Sequence, residues 1–409
     1  MATWFLVIIY LSFISLGIPD PLLGAAWPVI HPEIGASLES AGMLSMIVAG
    51  GTIVSSLSSG SLIRRLGTGK LTLFSCVLTA GSLLGFSVAP SLGWLVVLAI
   101  PLGIGGGAVD AALNHYVASN YKAHHMSWLH CFWGVGATMG PIMMSYYIAV
   151  HHSWRDGYAA VAMIQFSLVF LLLVTLPLWK RVARLHQSGH SSDSADPAAG
   201  LTSSGTEHAL AAGSQHPLKI KGVKISLLAF LLYCGVETMV GLWGASFLVG
   251  ARNITAETAA GWISLYYGGI TAGRFITGFI TLKVNNRMLI LAGQLTAVAG
   301  SILLLLPLPN QITLIGFILI GLGLAPIYPG LLHETPTRFG KENSAKLMGY
   351  QMAVAYSGST LLPLLFGLLA TYTDINLFPA VVLIFVLLML FSSEKVIRIL
   401  KQNSIRKPL

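Results

Sequence analysis

Residues Pro101–Asn114 read PLGIGGGAVDAALN and lie inside an apolar run from about Leu92 to Val117. A run of that length spans a bilayer as a helix. Gly103, Gly105, Gly106 and Gly107 strip bulk from it, so a neighbouring helix can approach closely, as small residues allow in membranes. At the end of this smooth stretch stands one carboxylate, Asp110, with Asn114 a helical turn further on and on the same face. An ionisable group at that depth costs at least ~2.5–3.5 kcal/mol on insertion scales, so it must face protein or a water-filled cavity. Two readings follow. Asp110 is either a polar group hydrogen-bonded between helices or a proton- or substrate-binding carboxylate in a transport pathway, and the second is preferred.

Composition widens this reading to the whole chain. Of its 409 residues, 55% are hydrophobic and 9% charged, and the mean hydropathy is +0.77. A soluble domain carries about 25% charged residues, so the sequence reads as an all-α polytopic membrane protein embedded in a lipid bilayer. A net charge of +9 would suit nucleic acid on a soluble domain, but no soluble domain is there to carry a basic patch, so no nucleic-acid partner is expected. Cys76, Cys131 and Cys234 are isolated within apolar runs and imply neither a disulfide framework nor a metal site. No paired nucleophile and base, no P-loop and no metal-ligand spacing occurs, so neither an enzyme nor a cofactor is expected. The first residues, MATWFLVIIYLSFISLGIPD, lack a basic start and a small-residue cleavage site and read as a first spanning helix.

Runs of about 20 mostly apolar residues give twelve expected spans. In the first half they are Thr3–Ile30, Leu38–Ile63, Leu71–Ala89, Leu92–Asn120, Ser127–Val150 and Gly157–Trp179. In the second they are Ile225–Gly250, Thr258–Leu282, Met288–Leu306, Ile312–Thr337, Ala345–Tyr372 and Leu377–Val396. Between them lies the long hydrophilic stretch from Lys180 to Lys224, whose composition is that of a disordered linker. Its scattered His186, His190, His208 and His216 read as solvated rather than as a metal site. The expected organisation is a six-helix half over 1–180, a linker over 181–223, a second six-helix half over 224–398 and a tail over 399–409.

Basic residues set the expected orientation. Placing both termini on one side puts 20 of the 23 Lys and Arg there, from Arg64, Arg65 and Lys70 through the linker cluster to the tail. Only Arg155 and Arg252 fall on the other side, and Arg274 falls inside a span. The positive-inside rule then places both termini and the linker in the cytoplasm. Internal repetition agrees with two halves, since Gly60–Lys70 (GSLIRRLGTGK) and Gly278–Arg287 (GFITLKVNNR) are short basic turns at the same place in each. Two such halves, with a site at their interface near midplane, describe one transporter architecture.

The few polar groups within the spans are the candidate site. Asp20 stands between Pro19 and Pro21, where freed backbone carbonyls suggest either a polar pocket or a tilted helix end. His130, with Trp128 and Trp133 nearby, can relay a proton or simply be hydrogen-bonded to a neighbour. Glu237 lies mid-span between Tyr233 and Trp243, an aromatic and hydrogen-bonding set that suits sugars, with their apolar ring faces and hydroxyl edges. Tyr328, Gln351 and Tyr356 are further hydrogen-bonders for a polar ligand. Arg274 reads as structural or gating, with Glu334 as its candidate partner, and Arg64 and Arg65 belong to the basic turn.

Several of these motifs carry a resemblance. Gly60–Lys70 resembles the loop motif of the major facilitator superfamily, except that Arg64 stands where an acid usually precedes the basic residue. IPDPLL at Ile18–Leu23, GIGGGAVDAALN at Gly103–Asn114, LHCFWGVGATMGP at Leu129–Pro141 and YCGVE at Tyr233–Glu237 look like the fucose–proton symporter family, which includes glucose and galactose transporters. The resemblance implies proton coupling at Asp20, and sugar binding with proton exchange at Asp110, where the family has a glutamate. It matches Asn114 to an asparagine, His130 to a glutamine position and Glu237 to a glutamate or glutamine position. The expected function is therefore proton-coupled symport of a sugar or similar polyhydroxylated solute by a monomeric carrier in a plasma membrane, the bacterial cytoplasmic membrane. The alternative is a proton-driven antiporter that exports drugs or metabolites on the same fold.

Overall fold

The computed structural model describes residues 2–120, 123–190, 217–281 and 283–405, so His208 and His216 of the linker lie outside the described residues. It is helical throughout these residues. The first part holds α1 (Ala2–Gly17), α2 (Leu22–Glu33), α3 (Ser40–Leu66), α4 (Thr68–Ser87), α5 (Leu92–Asn120), α6 (Ala123–His151) and α7 (Trp154–His190). The second holds α8 (Val223–Arg252), α9 (Ala256–Ile280), α10 (Asn286–Leu305), α11 (Asn310–Leu324), α12 (Ile327–His333), α13 (Thr335–Phe339), α14 (Lys341–Tyr372) and α15 (Phe378–Ile405).

Proline explains where expected spans break. The first is divided into α1 and α2 at the turn that holds Pro19, Asp20 and Pro21, because proline lacks the amide that would continue the helix. The tenth is divided into α11 and α12 at Pro326, and α13 starts at a second turn with Pro336 in its first positions. Pro101 in α5 and Pro363 in α14 are instead accommodated within continuous helices.

Among the described residues, ten helices are long and apolar enough to cross a membrane, where twelve spans were expected. The two long helices outside this set are α6 and α9, at the places of the expected fifth and eighth spans. Their sequences are diluted by His, Gly, Ser, Thr and Tyr. These two helices pack on each other across the two halves, where polar residues can find protein partners.

Packing repeats between the halves. In the first, α3 and α4 pack on α5, α4 on α7 and α1 on α6; in the second, α9 and α10 pack on α11, α10 on α15 and α8 on α14. Across the interface α6 meets α9, α3 meets α14 and α2 meets α8. The α3–α5 contact is the close approach that the glycine run allows. A Cβ on Gly103 would sit 2.1 Å from the main-chain oxygen of Val48, and one on Gly107 would sit 2.4 Å from that of Thr52.

The two exceptional arginines have structural work. Arg155 donates to the main-chain oxygen of Ala89 at 3.0 Å and to the Glu33 carboxylate, which also accepts from Trp154 Nε1 at 2.5 Å. Arg252 donates to the oxygens of Leu304 and Leu306 at 2.8 and 2.9 Å. Arg252 satisfies carbonyls at the C-terminal end of α10, and Arg155 one just past the end of α4.

Candidate functional site

A cavity of about 490 Å³ lies between the halves, a size that suits a small ligand. At the end of the molecule away from both termini, the halves touch. A Cβ on Gly24 of α2 would sit 2.2 Å from the main-chain oxygen of Gly241 in α8. Nearby, the Thr371 hydroxyl donates to Glu39 at 2.7 Å, and the Ser145 hydroxyl donates to the main-chain oxygen of Glu257 at 2.7 Å. These contacts close that end, and the cavity lies on their terminus side, walled by Ser45 and Thr52 of α3 and by Met352 and Ser359 of α14.

From the first half, Asp20, Asp110 and His130 line the cavity. The broken first span leaves Asp20 exposed to it, and one carboxylate oxygen accepts the indole N–H of Trp133 at 2.8 Å. Asp110 accepts from Asn114 Nδ2 at 2.9 Å, and that same nitrogen donates to the Asp110 main-chain oxygen at 3.0 Å. Asn114 is not among the cavity residues; its contact orients the carboxylate one turn before it. His130 packs edge-on against Phe13, with ring centroids 6.1 Å apart.

The second half contributes Tyr233, Glu237, Arg274, Tyr328 and Tyr356. Arg274 Nη2 is 3.1 Å from Glu237 Oε1 and 3.4 Å from the Tyr233 hydroxyl. Its guanidinium carbon lies 5.6 Å from the centre of the Trp133 ring, so the pair reaches across to α6. Tyr328 stacks obliquely on Tyr233, with centroids 5.6 Å apart.

Other expected positions lie elsewhere. Glu334 is not the partner of Arg274; it pairs with Arg338 at 3.4 Å, one turn along the broken end of the tenth span. Gln351 is buried and within 2.9 Å of the Thr335 hydroxyl, away from the cavity. Trp243 is fully buried and donates to the main-chain oxygen of Pro363 at 2.8 Å, so it packs α8 against α14 rather than facing a ligand. Arg64 donates to Ser61 at 3.1 Å, and Arg65 is exposed. Trp133 and Tyr267 also line the cavity and were not among the expected site residues. The signal for Trp133 was its place three residues after His130, on the same helical face.

Chemically, three carboxylates and one guanidinium face a single volume. Glu237 and Arg274 offset each other, whereas Asp20 and Asp110 are held by neutral donors and form no ion pair among the described residues. The charge of Asp20 and Asp110 is therefore not offset by internal pairing among the described residues.

Comparison with known proteins places this geometry. The description Major Facilitator Superfamily matches residues 4–248 and 225–404. Bypass of stop codon protein 6 of Saccharomyces cerevisiae is 21% identical over 403 residues, covering 94% of this chain and 80% of that protein. The glucose/mannose transporter GlcP of Bacillus subtilis is 21% identical over 322 residues, covering 78% of this chain and 77% of that one. The inward open structure of the xylose transporter XylE from E. coli superposes with a TM-score of 0.74 at 12% identity, covering 98% of this chain and 96% of that chain. With both halves matched, the chain belongs to the Major Facilitator Superfamily and is a secondary carrier of the alternating-access type rather than an enzyme.

Proposed function

We propose that this carrier is a proton-coupled symporter of a sugar or a related polyhydroxylated solute. The observation that carries the reading is the pair of carboxylates, Asp20 and Asp110, facing the cavity, each hydrogen-bonded to a neutral donor and in no ion pair among the described residues. Reorienting such a cavity with both groups ionised would drag uncompensated charge through a low-dielectric barrier, and a proton on each removes that cost. The opposite wall offers the Tyr233, Tyr328 and Tyr356 rings with their hydroxyls, together with the Glu237–Arg274 pair. Aromatic faces beside hydrogen-bonding edges suit a ring with apolar C–H faces and hydroxyl rims. Similarity to a glucose/mannose transporter points the same way.

In this reading twelve helices span the membrane in two six-helix halves, over 1–180 and 224–398, with both termini in the cytoplasm of a bacterial cell and the monomer as the working unit. The test is counterflow and uptake of radiolabelled hexoses and pentoses in proteoliposomes, with and without an inward proton gradient. Uphill accumulation with the gradient is expected for at least one sugar. Asp20→Asn and Asp110→Asn should each lose accumulation while retaining exchange, since exchange moves no net proton. Efflux of a solute driven by inward proton flow would establish the antiporter instead, and accumulation that survives both substitutions would end the proposal.

A further inference from the structure

Trp133 touches both ends of the cavity's charge system. Its indole N–H donates to Asp20 at 2.8 Å, within the first half. Its ring face carries the Arg274 guanidinium at 5.6 Å, across the interface. Arg274 in turn holds Glu237 at 3.1 Å, while its own Nε–H is buried and finds no acceptor among the described residues. The tryptophan is placed here by backbone contact: a Cβ on Gly136, three residues on, would sit 2.1 Å from the main-chain oxygen of Ile14, so α6 lies directly on α1 beside the Asp20 turn.

We infer that Trp133 is a positioning residue that ties the charge state of Asp20 to the Arg274–Glu237 pair in the opposite half. An ionised Asp20 makes a charge-assisted bond to the indole, which fixes the ring and keeps its face under the guanidinium. A proton on Asp20 weakens that bond. The ring is then free to shift, and Arg274 loses the surface that holds it. Occupancy of the first half by a proton is thereby reported to the ligand wall of the second half without direct contact between the two acids. No covalent step is involved.

Other titratable groups face the same volume and must be separated from Asp20. They are Cys76 on α4, Asp110 on α5, His130 on α6 and Tyr158 on α7, with Tyr233, Cys234 and Glu237 on α8, Tyr267 and Arg274 on α9 and Tyr328 on α12. The α3 residues at the cavity include no titratable side chain, and α14 brings Tyr356. Among these only Asp20 accepts a hydrogen bond from Trp133.

The inference rests on the proposed proton coupling, and its test has an arm that needs no transported solute. The whole chain, labelled with 5-fluorotryptophan in detergent, is titrated by fluorine NMR, and Trp133→Phe assigns the resonance. The Trp133 signal should titrate in one step, lose that step in Asp20→Asn and move in Arg274→Gln. A signal indifferent to pH, a titration unchanged in Asp20→Asn, or no response to Arg274→Gln each overturns the tie. If Trp133→Phe does not fold, the parent and Asp20→Asn spectra still decide it, since one resonance must lose its titration between them. In proteoliposomes with D-glucose as probe, Trp133→Phe should move half-maximal accumulation to higher pH by about one unit, because a carboxylate without its donor keeps a proton longer. A profile that stays put overturns the tie, whereas absence of any hexose uptake by the parent counts against the proposed solute and leaves the NMR result standing.

Discussion

Arg274 and Glu237 form an ion pair at 3.1 Å with both side chains less than one-fifth exposed, and both come from the second half. The pair therefore stays together whichever way the halves rock. Breaking it leaves one charge facing the cavity alone, which costs up to ~3–5 kcal/mol in a buried setting and less where water reaches it. Glu237→Gln and Arg274→Gln are each expected to lower the thermal stability of the purified carrier, and the double substitution to recover most of the loss. Equal melting temperatures for the singles and the parent would show that the pair adds nothing.

Gln351 gives a second, opposite expectation. Its amide and the Thr335 hydroxyl satisfy each other in a buried position. Gln351→Ala should cost about 0.5–1.5 kcal/mol of stability, since the Thr335 hydroxyl keeps its bond to the Leu331 main-chain oxygen. Solute affinity of the folded fraction should be unchanged, as measured by binding at a temperature well below the melt. A tenfold loss of affinity would return Gln351 to the ligand wall.

Glycine contacts divide into those within a half and those between halves. Gly24→Ala would drive a methyl group into Gly241 of the other half, and Gly136→Ala would drive one into Ile14 of the same half. Overpacking of this kind costs ~1–3 kcal/mol. In Gly24→Ala the cost falls on the closed state alone, so spin-label distances across that end should lengthen with little loss of fold. In Gly136→Ala it falls on every state, and the expected result is a lower melt with unchanged distances.

Glu39 immediately precedes α3 and the membrane-crossing stretch Ser40–Leu66, and the hydroxyl of Thr371 holds its carboxyl below the usual carboxylate range. The sign follows from the direction. The bond favours closure above the ordinary carboxylate pKa, and that preference is lost as pH falls through the lowered value. Acidifying the outer medium through that lowered value should raise the reactivity of a cysteine at Ser45 toward an impermeant thiol reagent. Thr371→Val should abolish the response and leave reactivity high at both pH values.

Orientation is tested by labelling single cysteines in sealed cells and in inside-out vesicles. Positions Lys70, Lys283 and Gln402 should react only in the vesicles, and Asp156 and Glu257 only in cells. Reaction of Lys283 from outside would reverse the proposed topology.

Much of the architecture was legible because a membrane protein must write it in long apolar runs. The breaks were legible where proline made them, as at Pro19 and Pro21. The acids could be found for a related reason: intramembrane charges are few, and lipid leaves them nowhere to point but inward. What could not be read was the rotation of each helix about its axis. Gln351 and Trp243 stand on polar or aromatic positions that suit a ligand equally well, yet both turn toward a neighbouring helix. Their partners, Thr335 and the Pro363 carbonyl, belong to breaks and bends whose geometry no periodicity reports. Arg274 was matched to Glu334 by depth in the membrane, but Pro336 ends the tenth span early enough for Arg338 to take that acid one turn on.

The mutual packing of α6 and α9 has a consequence for vectorial synthesis. Ribosomes deliver the N-terminal part first, so α6 is made more than a hundred residues before its partner exists. Until then Gly134 and Thr138, which later meet Thr271, have no second helix to cover them. The nascent first half therefore carries an unfinished seam until α9 is made. The arrival of α9 completes the seam, and with it the apposition on which the cavity depends.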